Sequence, residues 1–156
     1  MVVGTTKVKR LKLSDPMIGV SLHHASPITG VKENVCRVFA ENQVNLTFIT
    51  TRDTHEGNSV FCCLDAGGRS VLANVLKKIT TDPAMEHRVF PAVTLLSAFP
   101  HQSDLQMMFQ LLRALRCSLI PVHAAASSIG ALTFVIDTNL AETAVDSLQF
   151  VVGTQL

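Results

Sequence analysis

Apolar residues along the chain follow two different spacings. Short apolar and β-branched runs, such as MIGVSLHH at 17–24 and SVFCCLD at 59–65, are typical of strands. Between them, apolar residues recur every three or four positions, which predicts helices that bury one face. The four predicted stripes are Val31, Val35, Val38, Phe39 and Asn42; Val71, Leu72, Val75, Leu76 and Ile79; Leu105, Met108, Leu112 and Leu115; and Ala141, Ala144, Val145 and Leu148. The pattern predicts an α+β fold.

The chain repeats this pattern. A shift of 73 residues aligns its halves without a gap, so that Leu46 meets Leu119 and Phe61 meets Phe134. Each half has the order strand, helix, strand, strand, helix, which is most of a βαββαβ unit. An internal repeat defines the folding unit. We therefore expect two ferredoxin-like βαββαβ units in tandem.

Each unit still needs a fourth strand, and two segments remain. MEHRVF at 85–90 follows the second helix directly and can close the first unit. KVKRLKL at 7–13 is then left to complete the second unit, and its lysines suit an edge strand. The predicted units are residues 15–90 and residues 91–156, the latter completed by an exchanged strand at 7–14.

Residues 117–136 contain no Asp, Glu, Lys or Arg, a length that could cross a bilayer. Pro121 and Gly130 would leave backbone groups facing lipid, and no second such segment could cover them. Two buried strands, CSLIPVHA and ALTFVID, with a small-residue turn between them, explain the segment better. We predict no membrane partner.

Composition and charge predict which kinds of partner and which cellular compartment suit the protein. A net charge of +1 over 156 residues argues against a nucleic-acid partner. The 47% hydrophobic content predicts a large buried interface, hence a homodimer. The N-terminus lacks a signal-peptide core, and the four cysteines have no C-x-x-C spacing, so we expect a cytoplasmic protein with reduced thiols.

Candidates for catalytic or metal chemistry are few. His23 and His24 point to opposite faces of a strand and cannot chelate one ion by themselves. Cys36 lies beside the apolar stripe of the first helix, and we expect it to be buried. The stretch DAGGRS lacks the lysine of a phosphate-binding loop. We predict no cofactor, metal or catalytic residue, with a small metal or thiol enzyme left as an open alternative.

Three local features carry a family resemblance. Gly30 stands at the turn into the first helix, Asn45 begins the strand in QVNLTFITT, and the chain closes with SSIGALTFVIDTNLAETAVDSLQFV. With the duplicated topology, they make the chain resemble the tandem ACT regulatory region of aspartate kinases from about residue 8 to residue 152.

The resemblance implies an allosteric regulatory function, with an amino-acid effector bound where ACT units pair. It places the ligand at the turn before the first helix and at the next strand, with Ser118 and Leu119 on the partner side. Pro27 stands where the family commonly has Asp, so the turn itself lacks a carboxylate. The implied ligand-binding residues are Pro27, Ile28, Thr29, Gly30, Val31, Asn45, Thr51, Ser118 and Leu119. A dimerisation module without a ligand is the alternative.

Overall fold

The structure is a computed structural model that describes residues 10–99 and 105–152. Within them the chain divides into two compact units. The first unit is Pro16–Val93, and the second unit holds the described residues of 1–15 and 94–156. Strand β5 (Met85–Phe99) contributes its first part to one unit and its last part to the other.

The first unit is an antiparallel sheet with two helices on one face. Its strands run in the order β3-β4-β2-β5. Buried residues of β2 and β4 form one cluster with those of α1 and α2, because every second strand residue points towards the helices. The elements are β2 (Met17–His24), α1 (Val31–Glu41), β3 (Leu46–Thr54), β4 (Gly57–Leu64) and α2 (Arg69–Ile79), followed by β5.

The second unit has the same plan, with strands in the order β1-β5-β7-β6. Its separate core joins the strands to α3 and α4. The elements are β1 (Arg10–Leu13), the end of β5, α3 (Leu105–Cys117), β6 (Ala124–Ser127), β7 (Leu132–Asp137) and α4 (Ala141–Val152). The predicted α+β fold of two βαββαβ units is confirmed.

The exchanged strand is confirmed for the residues that the structure describes. Arg10–Leu13 pairs antiparallel with Leu96–Phe99 of the second unit. Ser14 extends this pairing: its N–H donates to the Leu95 carbonyl at 3.0 Å, and its Oγ accepts the Leu95 N–H at 2.9 Å. Residues 7–9 of the predicted strand lie outside the described residues.

The sequence pattern predicts separate strands on either side of Pro91, but β5 is continuous. The register explains how. Met17 pairs with Val93 and Gly19 pairs with Phe90, so β5 carries one extra residue at this point. A bulge of this kind accommodates proline because no ladder hydrogen bond is required of it.

The gap-free shift of 73 residues is wrong. Equivalent positions differ by 76 residues through the first helix of each unit and the turn that follows. Buried Val31, Val35 and Phe39 of α1 correspond to Met107, Leu111 and Leu115 of α3. The turns match as well, because Gln43 (φ 56°) and Leu119 (φ 55°) are both left-handed.

After the hairpin of each unit the difference becomes 72 residues. Buried Val60, Cys62 and Leu64 of β4 correspond to Leu132, Phe134 and Ile136 of β7. The four-residue change lies in the hairpin end, where residues 52–59 of the first unit correspond to residues 128–131 of the second. An odd shift also moved strand residues to the wrong face. Phe61 packs on Phe90, away from the helices, whereas Phe134 lies in the core.

Three predicted helix stripes are confirmed and the third is wrong. Leu105 is 78% exposed, and α3 instead buries Met107, Leu111 and Leu115. The predicted strand at 117–124 is also wrong. Because α3 continues to Cys117 and a left-handed turn follows, β6 begins only at Ala124.

Candidate functional site

The turn before α1 is built around a glycine that the backbone requires. Gly30 has φ 86° and immediately precedes the helix, which begins at Val31. The first helical hydrogen bond runs from Asn34 N–H to the Gly30 carbonyl at 2.9 Å. The N–H groups of Val31, Lys32 and Glu33 lie before it and have no acceptor within α1, as at any helix start. This end of the helix therefore favours an anion.

Ile28 already has its main-chain N–H hydrogen-bonded within the protein. Its N–H donates to the Ser26 carbonyl at 3.0 Å and to Oδ1 of Asn58 at 2.9 Å. Asn58 is only 6% exposed and belongs to β4. A side chain from the hairpin thus fixes the turn from the side of the sheet.

The same hairpin brings a carboxylate to the turn. Nδ2 of Asn58 donates to Oδ1 of Asp53 at 2.8 Å, and Oδ2 of Asp53 pairs with Nζ of Lys32 at 2.5 Å. The hydrogen bond from Lys32, followed by that from Asn58, lowers the pKa of Asp53, and Asp53 in turn raises the pKa of Lys32. β3 therefore brings a carboxylate to a turn whose own residues 27–30 have none.

Thr51 belongs to the edge strand β3, and Asn45 is the residue before that strand. Asn45 is exposed, follows the left-handed Gln43 and directly precedes β3. Thr51 is exposed on β3 opposite Val60. The turn residues Pro27 and Thr29 are exposed too. The structure does not bring Asn45 to the turn of the same unit, because the turn follows the end of β2 beside Asn58 and Asp53, whereas Asn45 precedes the start of β3 beside Leu64.

Ser118 and Leu119 do not begin a strand. They form the turn after α3, where Oγ of Ser118 accepts a hydrogen bond from Oγ of Ser147 at 2.6 Å and Leu119 is 87% exposed. At the corrected spacing of 76 residues, Pro121 is the counterpart of Asn45. It lines an open apolar recess of about 500 Å³ with Leu112, Arg116, Leu119, Ile120 and Val122. The second unit therefore has no amide at the equivalent position. Its own turn before α3, residues 100–103, lies outside the described residues.

His24 anchors the start of the turn. It is 4% exposed, with Nδ1 2.7 Å from the Ser26 carbonyl oxygen and Nε2 3.2 Å from Oδ2 of Asp82. The hydrogen bond with the Ser26 backbone, followed by the contacts with Asp82, raises the pKa of His24. The imidazole thereby links the turn to the loop between α2 and β5.

Cys36 is exposed, so the prediction of a buried thiol is wrong. It lies between Val35 and Arg37, on the side of α1 that faces away from the core. Cys62 and Cys63 are buried on opposite faces of β4, and burial raises the pKa of each thiol to about 12. Such thiols are poor nucleophiles.

Two further features bear on function. Within the described ranges, no three His, Cys, Asp or Glu side chains converge as metal ligands; His101 lies outside those ranges. No helix between residues 10–99 or 105–152 has both the length and the apolarity to span a membrane.

The residues that sequence reasoning missed are Lys32, Asp53 and Asn58. The run RDTHEGNS at 52–59, all polar apart from Gly57, indicated a hairpin end longer than its counterpart in the second half, but not the contacts of Asp53 and Asn58 with the turn. The gap-free alignment hid that difference in length.

No family model and no curated protein sequence matches the chain. Solved structures do match. The regulatory subunit of aspartate kinase from Thermus flavus superposes with a TM-score of 0.83 at 13% identity, over 94% of this chain and 99% of that one. The fold is that of the aspartate kinase regulatory region.

Two whole kinases match over the same stretch of this chain. Aspartate kinase from Synechocystis gives a TM-score of 0.82 at 14% identity, covering 98% of this chain but 28% of the enzyme. E. coli aspartokinase III in complex with lysine and aspartate gives 0.74 at 17% identity, covering 99% of this chain and 35% of the enzyme. The chain thus spans about a third of these enzymes, and the resemblance read from the sequence is confirmed at the level of fold.

Proposed function

We propose that the chain is an ACT tandem that binds an amino acid and acts as an allosteric sensor in amino-acid metabolism, of the kind that regulates an aspartate kinase. The observation that carries the proposal is the turn before α1. There the N–H groups of the helix start adjoin Lys32 and the carboxylate of Asp53. Charges of both signs at one exposed turn suit a zwitterion.

The ligand's carboxylate accepts hydrogen bonds from the N–H groups at the start of α1, where the helix dipole favours negative charge. In this proposal its ammonium is held by neutral acceptors, chiefly the side chain of Asn45 of a paired unit, since Asn45 of the same unit lies at the opposite end of the sheet. Asp53 adds negative charge beside the turn. Pro27, Ile28, Thr29 and Gly30 shape the turn, and Thr51 lines the strand side. In this proposal Ile28 acts through its side chain, because Asn58 already occupies its N–H.

The first unit is the sensing unit in this proposal. In the second unit, Pro121 replaces the amide and apolar side chains surround it. Ser118 and Leu119 are proposed only as residues that a paired unit presents to the ligand. We also retain the predicted division into ACT units at 15–90 and at 91–156 with 7–14.

Assembly belongs to the same proposal. Leu105 and Phe109, one helical turn apart on α3, are 78% and 55% exposed. Large exposed apolar side chains on one helix face favour association, and we propose a homodimer. Sedimentation that gives a monomer at tens of micromolar would contradict it. The four free thiols favour a cytoplasmic location.

The alternative is a dimerisation module that binds no ligand. A thermal-shift screen against the twenty amino acids separates the two functions, because a ligand that binds only the folded state raises the unfolding temperature. The proposal predicts that one amino acid or a few related ones do so at millimolar concentration. A flat screen together with a stable dimer would favour the alternative.

A further inference from the structure

The longer hairpin of the first unit creates two adjacent rows of polar residues on opposite faces of the sheet. Asp53, Asn58 and His24 lie side by side in the row that faces the helices. In the next row, which faces away from the helices, Arg52 pairs with Ser59 and Ser59 pairs with His23. The corresponding hairpin of the second unit ends at the Ser127–Leu132 pair and has neither row.

The outward row forms a small polar pocket of about 200 Å³, which is lined by His23, Arg52, Thr54, Glu56 and Ser59. Nδ1 of His23 lies 3.0 Å from Oγ of Ser59, which holds the imidazole beside the hydroxyl. Oγ1 of Thr54 is already used, since it donates to the Gly57 carbonyl and accepts the Glu56 N–H.

Arg52 is the distinctive member of this pocket. Its side chain makes no hydrogen bond and no ion pair with any residue in the described ranges, unlike the side chains of Lys32 and Arg37, which are both paired. A planar guanidinium offers two parallel N–H donors to a carboxylate or phosphate. The hydrogen-bonded pair of Ser59 and His23 adds one further donor in the same row.

We propose that this pocket is a second ligand site, which binds the oxyanion of a small molecule. Arg52 binds two oxygens. From the other side the oxyanion accepts one further hydrogen bond, either from the Ser59 hydroxyl when His23 Nδ1–H donates to Ser59 Oγ, or from His23 Nε2–H when Nδ1 accepts from the hydroxyl. Glu56 at the rim and Glu86, which pairs with His23 across β2 and β5, carry negative charge. They disfavour a ligand of high negative charge, so the site selects a carboxylate or a single phosphate group.

The pocket shares no residue with the amino-acid site proposed at the turn, because the two use opposite faces of the hairpin. The proposal therefore stands independently of the proposed function. If Asn45→Ala does not change amino-acid binding, the proposed function fails but the proposal for this pocket is unaffected. If the pocket binds no oxyanion, the proposed amino-acid site is unaffected.

The test is amide NMR on the full chain, titrated with inorganic phosphate in one arm and sodium acetate in the other, at constant ionic strength. The expected result is a saturable shift of the Arg52, Ser59 and His23 amides, with a millimolar dissociation constant, in at least one arm. The arm that binds tighter identifies the oxyanion. Arg52→Gln should weaken binding at least tenfold, and Ser59→Ala should weaken it several-fold.

Arg113→Gln is the matched control, because it removes the same charge from an exposed arginine on α3. It should leave binding unchanged, whereas equal weakening would mean that only net charge matters and would overturn the proposal. Absence of a saturable shift in both arms up to roughly 50 mM would also overturn it, as would an Arg52→Gln variant that is folded by thermal unfolding and binds like the wild type.

Discussion

The main-chain N–H of Ile28 donates to Oδ1 of Asn58 at 2.9 Å, across thirty positions of sequence. This bond joins the turn before α1 to the hairpin between β3 and β4. The side chain of Asn58 also donates a hydrogen bond to Asp53, and Asp53 forms an ion pair with Lys32 in the first turn of α1. The candidate amino-acid site therefore depends on a buried side chain that a ligand need not touch.

Replacing Asn58 should loosen this turn. Asn58→Ala leaves the Ile28 N–H without its side-chain acceptor and removes a donor to Asp53. Losing buried hydrogen bonds of this kind costs about 1–3 kcal/mol in the free energy of unfolding. Urea unfolding measures the loss, and Asn139→Ala, at an exposed position, serves as the control. A loss no greater than that of the control would show that the turn is held by other contacts.

Gly57 should not tolerate a side chain. Its φ is 151°, and a Cβ there would lie 2.2 Å from the carbonyl oxygen of His24. Gly57→Ala should lower the free energy of unfolding by roughly 2 kcal/mol or more. Gly130→Ala is the control, because no atom lies within 4 Å of the added Cβ. Equal effects of the two substitutions in urea unfolding would contradict the described hairpin geometry.

Stability should depend on the proton of His24. Because folding raises the pKa of His24 above its ordinary 6.5, the protonated form favours the native state. This contribution is complete below pH 6.5 and is lost as the pH rises through the folded-state pKa. Asp82 does not add to this decline. Folding lowers the pKa of Asp82 from its ordinary 3.8, so its contribution to stability is lost only as the pH falls below 3.8. Urea unfolding from about pH 6 to pH 8 should show a decline that His24→Gln reduces. His55→Gln, at a fully exposed site, should keep the wild-type slope.

Replacing Leu119 with glycine should increase the stability of the fold. Leu119 adopts φ 55° at the end of α3 and is 87% exposed, so its side chain contributes strain without burial. Leu119→Gly should raise the free energy of unfolding by roughly 1 kcal/mol. Gln110→Gly, in the middle of the same helix, should lower it by about the same amount. A loss of stability in Leu119→Gly would indicate that the side chain packs against another copy of the chain.

The sequence predicted the fold well because apolar spacing reports burial directly. The stripes of α1, α2 and α4 are the buried faces, and the leading strand lies in the second unit. The errors in matching the two halves share one cause. A spacing taken from a gap-free alignment cannot register a four-residue difference in a hairpin, and an odd shift assigns strand residues to the wrong face.

The candidate site was predicted less completely. Gly30 and Asn45 could be located because each has a local sequence signal, a turn into a helix and a polar residue before a strand. Asp53 and Asn58 could not, since their contacts with Lys32 and Ile28 depend on how the hairpin folds back over the turn. Long-range pairing of this kind leaves no periodicity in the sequence.

The most direct test of amino-acid sensing is calorimetry with the amino acid that gives the largest thermal shift, on the wild type, Asn45→Ala and Asn139→Ala. The account predicts that Asn45→Ala weakens binding tenfold or more, equivalent to about 1.4 kcal/mol, because the ammonium loses a neutral acceptor. Asn139→Ala should bind like the wild type. If no amino acid binds the wild type at millimolar concentration, or if Asn45→Ala binds as tightly, the sensing site at this turn is contradicted.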